Sequence, residues 1–280
     1  MLLVDKPAGV TSHDVVNAAR RALHTRRIGH AGTLDPFATG LLVLLVGQAT
    51  RLLPYVNGEP KVYDARIVFG SETSTDDATG SVTRTAALPD AARVRDGIAA
   101  LTGPIDQVPP DYSAKQVRGR RAYAAARGGD PLQLSAVRVL VQRWDVRELA
   151  SDHLDATITC GAGTYIRALA RDLGRLSGSA AHLAGLRRTR SGPLEVAQAI
   201  SLEALRAGSA TLQPPVTVIP HLASIGLSAE EVVRVRHGQP LAAHRDDAAT
   251  AALVGPDGAL VAIAEHEDAE WRPRVVLGNG

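Results

Sequence analysis

The 280-residue sequence predicts an α+β fold, and three observations carry that prediction. Stretches of strand character, among them "KVYDARIVFG", "AVRVLVQRWDVREL" and "DHLDATITCGAGTY", are scattered along the chain. Amphipathic helical stretches such as "AARVRDGIAALTG" lie between them. The one segment that invites a dinucleotide-binding βαβ reading, "CGAGTYIRALARDLG", has Ile166 at the third glycine position. No acidic residue follows at the usual distance, so that reading is rejected.

The elements follow in order. "MLLVDKP" reads as a short strand stopped by proline, and Thr11 with Asp14 three residues on marks the start of a helix over "HDVVNAARRALH". "GHAGTLDPFATGLLVLLVG", Gly29 to Gly47, is a glycine-bracketed loop running into an apolar strand. "KVYDARIVFG" alternates as a strand should, and "SETSTDDATGSV" reads as a polar, turn-rich loop. The helix "AARVRDGIAALTG" ends in glycine, and a Pro-Pro break then precedes a long basic segment with two tyrosines. Two strands, the helix "TYIRALARDLGRLSG" and the strand "HLAGLRRTRSGPL" follow. "LQPPVTVIP" reads as a linker. Beyond it come a helix, "SAEEVVRVRHGQPL", and a strand, turn and strand in "ALVGPDGALVAIAEHEDAEWRPRVVLG", with "PDG" as the turn.

The single cysteine, Cys160, excludes an internal disulfide framework and any multi-cysteine zinc site, which points to a reducing compartment. "MLLVDKPAGVTS" breaks its apolar run too early for a signal peptide, and no stretch reaches the roughly 18 apolar residues of a membrane helix. A cytoplasmic protein is expected. The formal net charge of +2 is uneven: it is −4 from His221 onward and +6 before that. The cationic runs "RRALHTRR", "KQVRGRR" and "LRRTR" all fall in the basic part, as a chain that follows a nucleic-acid backbone would place them. Taken singly, each also reads as a solvated face.

Two local patterns suggest chemistry. Gly29, Gly32 and Gly40 surround His30, Thr33 and Asp35, a loop shaped to present a side chain, or else a tight turn with Asp35 as its capping residue. The helix opening at Tyr165 carries Arg167, with Arg171 one turn on.

"DKPAGVTSHDVV", "GHAGTLDPFATGLLVLLVGQATRL", "KVYDARIVFG", "QVPPDYSA", "GTYIRALARDLG" and "AHLAGLRRTRSG", in this order, resemble the motifs of the TruB family, the bacterial tRNA pseudouridine-55 synthases. The resemblance covers about residues 1 to 200. It implies a mixed, largely antiparallel sheet with flanking helices over residues 1–220, a mobile RNA-binding insertion at about 111–134, and a small β-rich PUA-like domain at 222–280. It implies isomerisation of a T-loop uridine after base flipping, without metal or cofactor; a monomer is expected because the RNA contacts would occupy most of the functional face.

By the same resemblance Asp35 is the catalytic carboxylate, acting as nucleophile or base, and Arg167 is the buried cation that keeps it charged. Tyr63 stacks on the flipped base and suits the handling of its C5 proton. Tyr165 is a second pocket tyrosine, Leu186 an apolar or backbone contact to the base, and His30 an orienting group. Arg118, Arg120, Arg121, Arg187 and Arg188 are candidates for the RNA backbone. Gln116 stands where the family usually has a lysine, with Lys115 one place earlier. A non-catalytic tRNA-binding protein on the same scaffold would be expected to lack Asp35, Tyr63 or Arg167, and all three are present. A hydrolase built on Asp35 would need a second acid, and Asp5 and Asp14, the other carboxylates nearby, lie in no matching motif.

Overall fold

A computed structural model of the chain describes residues 1–56, 58–113, 116–117, 120–121, 128, 132–243 and 248–278. In chain order its first elements are β1 (Leu2–Lys6), α1 (Ser12–Ala22), β2 (Ile28–Ala31), β3 (Thr39–Val46), β4 (Lys61–Phe69), β5 (Ser71–Thr73) and β6 (Val82–Thr85). Next are α2 (Ala91–Ala100), β7 (Gly103–Gln107), β8 (Gln116–Val117), β9 (Arg120–Arg121), β10 (Val137–Leu149) and β11 (His153–Cys160). Then follow α3 (Ile166–Leu176), β12 (Ala181–Ser191), β13 (Leu194–Glu195), β14 (Ile200–Ser201) and α4 (Leu202–Arg206). The last are β15 (Ala223–Gly226), α5 (Ala229–Arg236), β16 (Leu241–Ala242), β17 (Thr250–Val254), β18 (Leu260–Glu267) and β19 (Glu270–Val276). The α+β expectation holds, with mixed pairing that is antiparallel except at the ends of two sheets. No helix among the described residues is long and apolar enough to cross a membrane.

The chain divides into two compact units. The first comprises Met1–Pro36, Gly40–Gly58 and Gly192–Gly280. In it β1 pairs antiparallel with β3 and parallel with β14, and β2 lies along the other side of β3. The apolar run of β3 is explained by burial on both faces. Leu42 and Leu44 join Leu2 and Val4 of β1 against Val15, Val16 and Ala19 of α1 and Leu202 and Leu205 of α4. Leu41, Val43 and Leu45, with Met1 and Leu3, face the opposite way, onto Val218 and Ile219 and onto Ala252, Ile263, Val275 and Leu277. Each buried leucine stabilises the sheet by about 2 to 5 kcal/mol relative to alanine. α1 begins where expected, with a reciprocal capping box between Thr11 and Asp14.

Two expectations for this unit are corrected. "LQPPVTVIP" is no free linker: Pro215–Val218 form a 3-10 turn, and Val218 and Ile219 are each 1% exposed in the core. Proline-rich composition alone hides that packing. The C-terminal segment holds two hairpins, not one, because the sheet order is β15-β17-β18-β19-β16. The second turn, at Asp268 and Ala269, takes positive φ at both residues (52° and 60°) without a glycine, so it leaves no turn signal.

The second unit comprises Phe37–Thr39 and Glu59–Ser191. Its sheet, β12-β4-β11-β10-β7, is antiparallel throughout. On β4 and β11 the residues Tyr63, Ala65, Ile67 and Phe69, with Leu154, Ala156, Ile158 and Cys160, alternate inward, and α3 packs on β12 and β4. α2 lies on α3, with Gly97 against Leu173. The "SETSTDDATGSV" segment is not a surface loop but a short hairpin, β5 with β6. Its tip is tied to β12 through Leu183, which bonds the backbones of Asp76 and Ala78. Glu72, Thr73 and Asp77 are buried there.

Candidate active site

In the first unit the loop bearing Asp35 is pinned on both sides of the carboxylate. The buried Ser12 hydroxyl accepts from the Leu34 N–H at 2.9 Å and donates to the Leu34 carbonyl at 3.1 Å. One residue beyond Asp35, the Pro36 carbonyl accepts from the Gly9 N–H at 2.8 Å and from Lys6 Nζ at 3.2 Å. Lys6, at 0% exposure, also donates to the carbonyls of Pro7 and Val10 (2.9 and 2.7 Å), so its amino group is caged by peptide oxygens beside the loop. Gly9 takes φ +82°, which favours a residue without Cβ at that turn. Asp35 itself is half-buried, and His30 stands on β2 in register with Leu44. Sequence reading does not single out Ser12, Lys6 or Gly9. They lie in the quoted motif "DKPAGVTSHDVV", but nothing in composition says that its role is to hold a separate loop that follows the helix.

In the second unit the register places Tyr63 on β4 between Ile158 on β11 and Arg188 on β12. Tyr63 is 7% exposed, and Arg188, expected at the RNA backbone, is only 1% exposed and so buried in the sheet, not presented on its surface. Leu186, half-buried, is in register with Ala65, and its carbonyl accepts from the Thr39 hydroxyl at 3.4 Å. Burial first, and then the like charge of Arg188, lower the Lys61 ammonium below its ordinary value. Arg188 therefore places a buried positive charge close to the Lys61 end of β4. Arg187 is half-buried.

Tyr165 is the N-cap of α3, and its backbone is held at both atoms by one buried side chain. Gln107 Oε1 accepts from the Tyr165 N–H at 2.8 Å, and Gln107 Nε2 donates to the Tyr165 carbonyl at 3.1 Å. This amide fixes the peptide at which the helix begins, although it reaches none of the first-turn N–H groups that a capping side chain would satisfy. Arg167 follows, 4% exposed, and donates to the carbonyls of Thr75 and Tyr112, both at 2.9 Å, with Nε 3.7 Å from Asp77.

Three arginines at a spacing of four residues make one row along α3. Arg167 meets Asp77. Arg171 meets Asp76 at 2.8 Å, and Arg175 grips both Glu72 oxygens at 3.0 and 2.7 Å. Bonds from Arg175 hold the Glu72 carboxyl below its ordinary value, whereas burial raises that of Asp76. The Asp77 carboxylate is fixed in turn by Thr75 and by Thr79. Sequence reasoning misses the acidic partners because their segment reads as solvent-facing loop. Three carboxylates within six residues, matched to three arginines in helical spacing, are the available signal.

Of the remaining candidates, Arg118 lies outside the described residues, as does Lys115. Arg120 and Arg121 are described only as backbone, paired with Gln116 and Val117 in a two-stranded ribbon. Most of the 111–134 insertion lies outside the described residues. Burial pushes the Cys160 thiol up to about 11, which leaves it protonated and a poor nucleophile. Glu148, His153 and Asp155 bring three possible metal-ligand atoms within 4.8 Å of one another, but both Asp155 oxygens already accept from Arg66, at 2.8 and 2.5 Å.

Comparison with known proteins agrees with these motifs. Residues 20–166 match the model of the TruB family pseudouridylate synthase N-terminal domain. Residues 167–214 match the tRNA pseudouridylate synthase B C-terminal domain, and residues 222–278 match tRNA pseudouridine synthase II, C terminal. The chain is 46% identical over 289 residues to tRNA pseudouridine synthase B of Thermobifida fusca (strain YX), spanning 100% of this chain and 98% of that protein. It is 44% identical over 296 residues to the protein of the same name from Paenarthrobacter aurescens (strain TC1), at 100% and 95%. Among solved structures it is similar in fold to a chain of an H/ACA RNP bound to a substrate RNA containing 2'-deoxyuridine. The TM-score is 0.73 at 22% identity, over 99% of this chain and 84% of that one. A Cbf5-Nop10-Gar1 complex gives 0.72 at 24%, over 99% and 83%.

Proposed function

The chain belongs to the TruB family of pseudouridylate synthases, and from that premise we propose that it isomerises the T-loop uridine of tRNA, position 55, to pseudouridine, with Asp35 as the nucleophile or base. In the reaction the bond between uracil N1 and C1′ breaks, the uracil turns over, and C5 rejoins C1′. The C5 proton is lost at the end, and N1, released from the sugar, takes up a proton in its place. Atoms and electrons balance within the substrate, so this is an isomerase reaction with no net redox change.

The observation that carries the reading is the pinned carboxylate: Asp35 sits between two residues whose backbones are anchored by Ser12, Gly9 and Lys6. A group that must meet a reacting carbon needs that fixity, because small misplacements cost large factors in rate. Tyr63 stacks on the flipped base and handles its C5 proton, and Tyr165 and Leu186 complete the base pocket. His30 orients the nucleotide, and Arg167 supplies the positive charge that favours an ionised carboxylate. Arg187, and Arg118, Arg120 and Arg121 of the insertion, contact the RNA backbone. The enzyme works as a cytoplasmic monomer.

The test is incubation with an unmodified tRNA transcript followed by mapping of pseudouridine. Product at the T-loop uridine, abolished by Asp35→Asn while tRNA binding persists, is the expected result. Folded protein that binds tRNA without forming product would favour the non-catalytic scaffold instead.

A further inference from the structure

One cationic run in the sequence, "RRALHTRR", is not used by the reaction, and the fold gives it a partner. Within the first unit an open groove of about 520 Å³ lies between the C-terminal ends of α1 and α4, lined by Ala18, Arg21, Ala22 and His24 from the one and by Arg206, Ala207 and Gly208 from the other. Among the described residues, no acidic side chain lines it. Arg21, His24 and Arg206 are all exposed. Two chain segments far apart in sequence thus converge three cationic or protonatable groups on one concave surface.

The backbone singles out His24. α1 and α4 end in the same way, with paired bonds that close a left-handed turn. Thr25 N–H donates to the Arg20 carbonyl and His24 N–H to Arg21, as Ser209 N–H donates to Ala204 and Gly208 N–H to Leu205. α4 uses glycine at the left-handed position, Gly208 at φ +84°, which costs no strain. α1 puts His24 there, at φ +49°. A side chain kept where glycine fits better, and placed in the groove, indicates a use for that side chain. The bland alternative is that these cations only complement the two helix dipoles, an effect on stability and not on binding.

We propose that this groove is a phosphate subsite for the backbone of the tRNA substrate, separate from the uridine pocket, with Arg21, His24 and Arg206 as its donors. The proposal rests on the reading of the protein as a tRNA-modifying enzyme. A phosphodiester fits the chemistry: two guanidinium groups and an imidazole can each donate to its oxygens, and an exposed cationic surface tolerates any sequence.

The test is binding of an unmodified tRNA transcript across a salt series by the whole protein and its variants. His24→Gly removes the side chain without backbone strain, so it should melt no lower than the parent while its Kd rises about threefold. The double variant Arg21→Gln/Arg206→Gln should raise Kd about tenfold and flatten the plot of log affinity against log salt by about 0.7 to 0.9 per lost contact. KM should rise in step, with kcat at saturating tRNA within about twofold, so that pseudouridine formation, which tests the parent reading, is scored separately. Unchanged Kd with a lowered melting temperature would show a dipole role only and overturn the proposal. A weaker Kd with an unchanged salt slope would overturn it too. Inorganic phosphate alone separates the sources: perturbation of the His24 ring by phosphate, in a protein whose variants bind tRNA normally, would identify a small-anion site and overturn the RNA assignment.

Discussion

Gly174, in the last turn of α3, offers a sharp test because two effects of opposite sign act on one atom. Replacing it by alanine improves helix propensity by about 1 kcal/mol. The new Cβ, however, would stand only 2.7 Å from the carbonyl carbon of Ala180 and from Ala181 Cβ, and nearer still to the Ala181 nitrogen. Ordinary contact begins near 3.4 Å, so helix and strand must part by about 0.7 Å or more. The obstacle is mainly backbone, which cannot rotate away, and overpacking of this kind costs about 1 to 3 kcal/mol, toward the upper end here. The net expectation is a loss of about 1 to 2 kcal/mol in urea unfolding followed by circular dichroism. α3 also carries Arg167, Arg171 and Arg175, so the displacement should lower kcat by about tenfold or more even where the variant is fully folded. An alanine variant about 1 kcal/mol more stable than the parent, with normal turnover, would refute the argument that this helix is seated by backbone contact.

Ser12→Ala removes both bonds to Leu34 and leaves a buried N–H unpaired, so unfolding should show a loss of about 1 to 3 kcal/mol, with kcat falling more than KM rises. Glu72→Gln should destabilise by about 1 to 3 kcal/mol at pH 7, toward the lower end because Arg84 and Arg175 are half exposed. The Glu72 carboxyl lies below its ordinary 4.5 in the folded protein, so its contribution is present above that pH and is lost as pH falls through the depressed value. Parent and variant should therefore converge in acid, a trend readable by thermal melts from pH 7 to pH 3. Ala269→Gly relaxes a residue held at φ +60° and should raise stability by about 0.5 to 1 kcal/mol, with no change in turnover.

Where the sequence carries local periodicity, it can be read closely. The capping box at Thr11 and Asp14 marks α1, and the alternation in "KVYDARIVF" marks the inward row from Tyr63 to Phe69. What it cannot show are interactions set by tertiary distance. Ser12 looks like an ordinary helix-start residue until Leu34 is seen beside it. Gln107 looks like a strand residue until it closes on Tyr165. Asp76, Asp77 and Glu72 sit in a stretch whose polarity argues for water, because single-residue polarity cannot say that each carboxylate has an arginine waiting on a row of α3. The second C-terminal hairpin escapes sequence reading for a backbone reason: alanine rarely occupies the left-handed region, so its turn carries no glycine to announce it.

The face of β1 and β3 that carries Met1, Leu3, Leu41, Val43 and Leu45 is covered by Ile263, Val275 and Leu277, residues made much later in synthesis. On the ribosome, the first strand therefore emerges with a greasy side that Ala49, Leu52, Leu194, Val218 and Ile219 cover only in part until the C-terminal sheet is made. The second unit, almost wholly continuous from Glu59 to Ser191, can settle much earlier. Its first-made partner must wait, and contacts spanning roughly 220 residues or more make that wait a slow closure. The order of birth and the order of folding thus run in opposite directions. A nascent chain halted before Ile263 should expose this surface to chaperones even though its middle is already folded.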